Sequence, residues 1–295
     1  MEARRLQKVG NRSYAVCLPK KWVLDNKIKE QDHIFMDIKQ NNDLVLKAKQ
    51  QEEKIKDSIT VDIADIDHLP EFLVLCYVKN VDKINLNSKK PDYENFKAIK
   101  KVVSYLEGYE ITEEDESHVE IQFLFKDVNI TLKHLLRRMT YLLSIMVTAL
   151  ENKDIETLLK TETTTDQLYH LSKRIMHSCM KNSKQREEND IRSEEDLLFM
   201  NIIFKKLENI GDRFESLTDK KLSESDYKLL KEMISLLNDL FFKKSELKSH
   251  KEKLAKIKKS ANTSAIRGSL LSIADLCLDI FENVVSIEYS RKYFK

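Results

Sequence analysis

Met200-Asn-Ile-Ile-Phe-Lys-Lys-Leu-Glu-Asn-Ile-Gly-Asp-Arg-Phe-Glu-Ser-Leu217 is the stretch on which the fold turns. Its apolar residues Met200, Ile203, Phe204, Leu207, Ile210, Phe214 and Leu217 recur at alternating steps of three and four. At about 100° per residue they form one continuous stripe, so the spacing predicts an amphipathic helix from about Arg192 to Leu217. Glu208, Asp212 and Glu215 lie together on one edge of that stripe. Carboxylates at this spacing repel by only about 0.2–0.5 kcal/mol on an exposed helix, so a solvated acidic edge would explain them. A second pair elsewhere changes the weighing. Glu162 and Asp166 share a helical face with Leu158, Leu159, Tyr169 and Met176, a face that should turn inward. Four carboxylates at one interhelical seam need a cation or open water to offset their charge.

Working outward, 295 residues suffice for two or three domains. Only four Gly and three Pro interrupt the chain, which favours long helices and argues against a Gly-rich phosphate-cradling loop. The net charge of +2 announces no partner, so charge must be read by segment. Cys17, Cys76, Cys179 and Cys277 are isolated, with no C-x-x-C spacing. That suits a reduced intracellular compartment and offers neither a disulfide nor a zinc framework. The N-terminus has no apolar signal region and no run approaches the roughly 20 apolar residues of a membrane span, so a soluble, cytoplasmic protein is expected.

The first fifty residues read as short strands around one helix. Arg5 to Val9 and Ser13 to Leu18 are strands, and Pro19 starts a short helix from Lys20 to Asn26. His33 to Lys39 and Leu44 to Ala48 form a hairpin closed by Asn41-Asn-Asp43. Residues 1–56 hold 13 Lys and Arg against 8 Asp and Glu, a surplus of five positive charges. So small a β unit buries little surface alone, so dimerisation is expected to complete its core.

A charged linker, Gln50 to Lys56, leads to a small α/β segment. Strands are expected at Ser58 to Ile63, Lys83 to Asn87, Tyr109 to Thr112 and His118 to Phe125. Helices are expected at Leu69 to Lys79 and from Pro91 to about Leu106, with Glu113 to Glu116 as an acidic hairpin loop. His68 and His118 have no visible partners, and nothing in the segment has catalytic spacing.

From Lys126 onward the chain is helical and reads as two repeats. Leu132 to Leu150 is followed by a helix towards Met180, a polar loop over 181–194, and the Arg192–Leu217 helix. The pattern recurs as Tyr227 to Phe242, Lys243 to Lys259, and Thr263 to about Tyr293. A tandem pair of three-helix bundles is the economical reading. The fold class is therefore multidomain and mainly α, with domains at 1–52, 57–125 and 128–295 and repeats at about 129–220 and 223–295. The lysine-rich Lys243–Lys259 helix reads as a solvated face, with an anionic partner as the alternative.

Two stretches carry resemblances. Lys8-Val-Gly-Asn-Arg-Ser-Tyr-Ala-Val-Cys-Leu-Pro-Lys-Lys-Trp-Val23 resembles the AbrB/MazE-like swapped-hairpin DNA-binding domain. The resemblance implies two chains with interlaced strands, and DNA contacts from Arg4, Arg5, Lys8, Asn11, Arg12, Ser13 and Lys20. That family usually has Gly-Asp where this chain has Gln31-Asp32, and a left-handed backbone at Gln31 would be strained. Leu207-Glu-Asn-Ile-Gly-Asp-Arg213 looks like the L-E-R-I-G-D signature of PhoU, the phosphate-uptake regulator family, and Glu162-Thr-Thr-Thr-Asp166 matches its E-x-x-x-D motif. This implies a multinuclear centre of iron, manganese, magnesium or zinc on Glu162, Asp166, Glu208 and Asp212. In the second repeat Leu271-Ser-Ile-Ala-Asp275 has Leu where Glu is expected; Asp275 and Asp279 remain, and the preceding helix offers lysines instead of acids.

Together the resemblances imply an archaeal-type fusion: a homodimeric transcription regulator that binds DNA and senses phosphate status. The alternative is an adaptor that contacts a phosphate transporter or signalling protein and uses its basic domain only to dimerise. No nucleophile–base arrangement is visible, so an enzyme is not expected, and the helical half lacks the Glu-x-x-His motif of a di-iron bundle enzyme.

Overall fold

In a computed structural model the described residues are 3–10, 13–38, 44–48, 58–90, 93–124, 130–243 and 247–294. The chain divides into two compact units, Met1–Lys54 and Ile55–Lys295. It is mainly helical: small β sheets at the N-terminus and a mixed α/β segment precede a C-terminal region of seven helices among the described residues.

In the first unit β1 (Gln7–Val9) pairs antiparallel with β2 (Ser13–Ala15), α1 (Lys20–Asp25) follows Pro19, and β3 (Phe35–Ile38) pairs with β4 (Leu44–Lys47). The Asn41–Asp43 turn and the Gln50–Lys56 linker lie outside the described residues. Gly10, at φ +65°, supplies the left-handed backbone that starts the β1–β2 turn. Gln31 also adopts φ +70°, and the Asp32 carboxylate accepts a hydrogen bond from Lys29 N at 2.7 Å. The left-handed turn is thus kept with a side chain in place, at a cost near 1 kcal/mol.

The second unit opens on β5 (Ser58–Asp62), α2 (Leu69–Val78), β6 (Lys83–Asn87), α3 (Tyr93–Ser104), β7 (Tyr109–Glu114) and β8 (His118–Phe123). The sheet order is β5-β6-β8-β7, with β5 and β6 parallel and β8 antiparallel to both neighbours. Two details differ from the sequence reading. Glu113 and Glu114 extend β7, and the turn falls where Ser117 N donates to Asp115 Oδ1 at 2.7 Å. A 3-10 turn, Ile63–Asp65, follows β5 because the Asp62 carboxylate accepts from Ala64 N at 3.0 Å. Pro91 lies outside the described residues.

The helical region comprises α4 (Leu132–Asn152), α5 (Ile155–Lys181), α6 (Ser183–Glu188), α7 (Glu194–Glu215), α8 (Glu224–Phe242), α9 (Leu247–Ala261) and α10 (Arg267–Tyr293). Side-chain caps set several starts: Thr131, Asp154, Ser193 and Ser223 each accept from a backbone N–H of the first turn. The stretch 181–194 is not all loop. The Asn182 carboxamide oxygen accepts from Lys184 N and Gln185 N at 2.9 and 3.2 Å and starts α6. Helices α4, α5 and α7 pack on one another, as do α8, α9 and α10, and α7–α10 and α4–α8 contacts join the two groups. The α7 stripe is the centre of this packing: Phe204, Leu207, Ile210 and Phe214, with Leu217 just past the helix end, are each 0% exposed.

The α/β segment is fastened to α5 by one buried cation. Arg174 donates from Nη1 to Tyr77 O at 2.7 Å and from Nη2 to Asp82 Oδ1 at 3.2 Å, with its guanidinium 3.7 Å from the centroid of Phe123. Tyr77 and Tyr109 complete an aromatic wall around it, and their hydroxyls donate to Glu107 O and Val81 O at 2.8 and 2.6 Å. Asn80 adds a hydrogen bond to Ser178 Oγ at 3.0 Å.

Two outcomes are expected. Gln31→Gly removes the left-handed penalty and should raise the unfolding midpoint of the N-terminal unit by the equivalent of about 0.5–1 kcal/mol; a lowered midpoint would contradict strain at this turn. Arg174→Ala should cost about 2–4 kcal/mol in urea unfolding, because it strands a buried carbonyl and empties a ring-lined site. Asp82→Ala should cost much less, since Asp82 is partly solvated; equal losses would show that the ion pair alone holds the junction.

Candidate metal centre and basic face

Gly211 of α7 faces Thr165 of α5 across the α5–α7 seam. Gly211 lies on the buried side of α7, where a Cβ would stand 3.7 Å from Thr165 Cγ2 of α5 and 3.9 Å from Leu143 and Met146 of α4. Gly211 precedes Asp212 and Thr165 precedes Asp166, so the contact between the two helices brings the two carboxylates together. One oxygen from each of Glu162, Asp166 and Asp212 lies within 4.8 Å of the others. A hard cation holding oxygens at about 2.0–2.6 Å spans up to about 5 Å between ligands, so the three fit around one ion. Asp166 Oδ1 is buried without a hydrogen-bond partner, an acceptor that such an ion would satisfy.

Electrostatics point the same way. Burial, then the charges of Asp166, Glu215 and Asp212, push Glu162 up to about 7. Burial, then Glu208 and Asp212, push Asp166 up to about 6. Glu208 stands differently from the other three expected ligands. It accepts from Lys205 Nζ on its own helix at 2.6 Å, and its side chain is 12% exposed. Burial raises its carboxyl and the Lys205 ammonium opposes that rise. The ammonium groups of Lys205 and Lys173 both lie over the Tyr169 ring, 5.2 and 5.3 Å from its centroid. A divalent ion could therefore be held by Glu162, Asp166 and Asp212, with Glu208 already counterbalanced beside it.

The second repeat resolves its charge with lysines. Asp275 Oδ1 lies 2.5 Å from Lys258 Nζ of α9, and Asp279 Oδ2 lies 2.6 Å from Lys206 Nζ of α7. Lys258 was visible in the lysine-rich helix; Lys206 was not, because its partner sits 73 residues away.

Sequence reading missed a further group. Cross-strand register places Glu113 and His118 near Glu120 on the α/β sheet. His118 is not without a partner: its Nδ1 is 2.9 Å from Asn87 Oδ1, the residue opposite it on β6. Glu120 is held well below the usual carboxylate range by hydrogen bonding to the Lys83 ammonium and then to Gln122. A satisfied acid of this kind is a structural ion pair.

In the N-terminal unit Arg4, Arg5, Lys8, Ser13 and Lys20 are exposed, and Asn11 and Arg12 lie outside the described residues. Lys8 faces Tyr14 and Val9 faces Ser13 across the β1–β2 pair.

The raised carboxyls give a signed expectation. Glu162 and Asp166 bind protons more tightly folded than unfolded, so their contribution to stability is complete below about pH 4 and is lost as the pH climbs through about 6 to 7. With chelator present, the melting temperature should fall from about pH 5 to about pH 8, and Asp166→Asn should shrink that fall. Manganese or magnesium should raise the melting temperature at about pH 8, and less or not at all in Asp166→Asn combined with Asp212→Asn. Equal metal stabilisation in the double variant and the parent chain would contradict the assignment. Asp275→Asn should leave the metal effect intact.

Comparison of the chain with known protein families, curated proteins and solved structures finds no match.

Proposed function

We propose that the chain is a cytoplasmic, dimeric DNA-binding transcription regulator whose helical half reports phosphate status through a metal held at the α5–α7 seam. The observation that carries this reading is in the N-terminal unit: among its described residues none is buried. Leu6 and Tyr14 are each 67% exposed, Val9 is 55%, and Val16, Leu24, Met36 and Leu44 are exposed as well. Paired strands that leave this much apolar surface exposed need a partner to cover it. A second copy with interlaced strands would do so, as the resemblance to the swapped-hairpin domain implies, and would set two basic first strands side by side for a phosphate backbone.

The helical half supports the other part of the proposal. Among its seven described helices α4, α5 and α7 pack on one another, as do α8, α9 and α10, while α7 also packs closely on α10. This supports reading a tandem pair of three-helix bundles, and one oxygen from each of three expected ligands of the first repeat lies within 4.8 Å of the others. Among the described residues no helix is long and apolar enough to cross a membrane.

Sedimentation and DNA titration test the proposal together. The full chain should sediment as a dimer, and residues 55–295 should associate more weakly; a dimer mass unchanged by the deletion would reject the N-terminal interface. Replacing Arg4, Arg5 and Lys8 with Ala should weaken duplex binding and flatten its salt dependence by about 0.9 in log–log slope for each phosphate no longer neutralised. Wild-type affinity and slope in that variant, with capture of a transporter ATPase independent of DNA, would favour the adaptor instead.

A further inference from the structure

Helix α9 carries six lysines and one glutamate over Leu247–Ala261. Its inward face is His250, Leu254, Ile257 and Ala261, all buried. Lys248, Lys251, Lys253, Lys256 and Lys259 are all exposed. Among the described residues Asp275 of α10 is paired with Lys258 of this helix at 2.5 Å, and Asp239 of α8 is paired with Lys243 at 2.6 Å. None of the five exposed lysines takes part in those pairs. Three couples among them, Lys248/Lys251, Lys253/Lys256 and Lys256/Lys259, stand three residues apart and repel by about 0.2–0.5 kcal/mol each. Glu252 offsets part of that, and a bound anion would relieve the rest.

We propose that the exposed face of α9 is a binding surface for the phosphate backbone of duplex nucleic acid, separate from the N-terminal unit and not dependent on it. The chemistry of the face selects this partner. Between Leu198 and Tyr289 no large apolar side chain is exposed among the described residues. A helix that docks on a lipid surface uses Trp, Phe or Leu to enter it, and single-stranded nucleic acid is held by aromatic stacking. Duplex phosphates require only positioned cations and hydrogen-bond donors. Lys248 and Lys259 are eleven residues apart, about 16 Å along the helix, which matches about five phosphate levels of one strand.

The test is salt-dependent binding of the full chain to a random-sequence duplex of about 30 base pairs, which presents about three helical turns of backbone. Changing Lys248, Lys251, Lys253, Lys256 and Lys259 to Gln should lower the log–log salt slope by about 0.9 for each phosphate no longer neutralised. The same five positions changed to Arg should keep the slope. If circular dichroism shows the Gln variant misfolded, the pair Lys253→Gln and Lys256→Gln gives the same reading with a smaller loss. The Arg4, Arg5 and Lys8 to Ala variant, alone and combined with the α9 change, separates the two surfaces. Loss of slope only on the α9 change supports this surface and counts against the N-terminal one. Wild-type affinity and slope after the α9 change, in both backgrounds, overturns it whatever the N-terminal unit does. Loss of binding to phosphatidylserine vesicles with duplex binding unchanged also overturns it, in favour of a lipid surface.

Discussion

Burying the apolar stripe of α7 is the constraint from which the rest of the second unit follows. Four of its side chains, and Leu217 just past its end, are fully removed from water, each stabilising by about 1.5–3 kcal/mol. Carboxylate repulsion along the same helix costs a few tenths of that, so packing wins and the acids are carried wherever the stripe docks. They arrive at α5, where Gly211 faces Thr165, and Asp212 comes to rest beside Glu162 and Asp166. Helix α5 then passes the constraint on. Eight residues beyond Asp166, about 12 Å along the axis, Arg174 locks the α/β segment through Tyr77, Asp82 and Phe123. One helix thus joins the acid cluster to the neighbouring sheet.

The two groups of helices handle similar charge in opposite ways. In the first, one oxygen from each of three acids comes to a shared point, and two of the acids are pushed up in pKa, Glu162 by burial and then by Asp166, Glu215 and Asp212, and Asp166 by burial and then by Glu208 and Asp212. In the second, Asp275 and Asp279 each hold a lysine directly. A site that keeps its own cation is a structural element, whereas acids left without one can respond to an ion from solution. That asymmetry concentrates the proposed sensing role in the first group. Glu208 is intermediate, since Lys205 of its own helix already answers it.

Much of this was legible in residue order. The three- and four-residue steps of Met200 to Leu217 identified the central helix, and alternation identified the sheet strands, because both periods come directly from backbone geometry. Convergence of Glu162, Asp166 and Asp212 followed from two motifs on two faces. What could not be read was the pairing of distant positions. Arg174 with Tyr77, and Lys206 with Asp279, are separated by 97 and 73 residues. Short-range side-chain competition also escaped: Asn182 began a helix inside an expected loop, and Asp62 made a 3-10 turn where a strand end was expected. Lys205 was three residues from Glu208 and in plain view; its weight depended on how deeply Glu208 would be buried.

In the proposed function a DNA-binding unit is joined to a phosphate-responsive helical half. Genome-wide DNA occupancy of the intact protein in cells grown at high and at low phosphate tests that union most directly. Discrete sites whose occupancy changes between the two conditions are expected. Occupancy without site preference, or discrete sites that are identical at both phosphate levels, would contradict it.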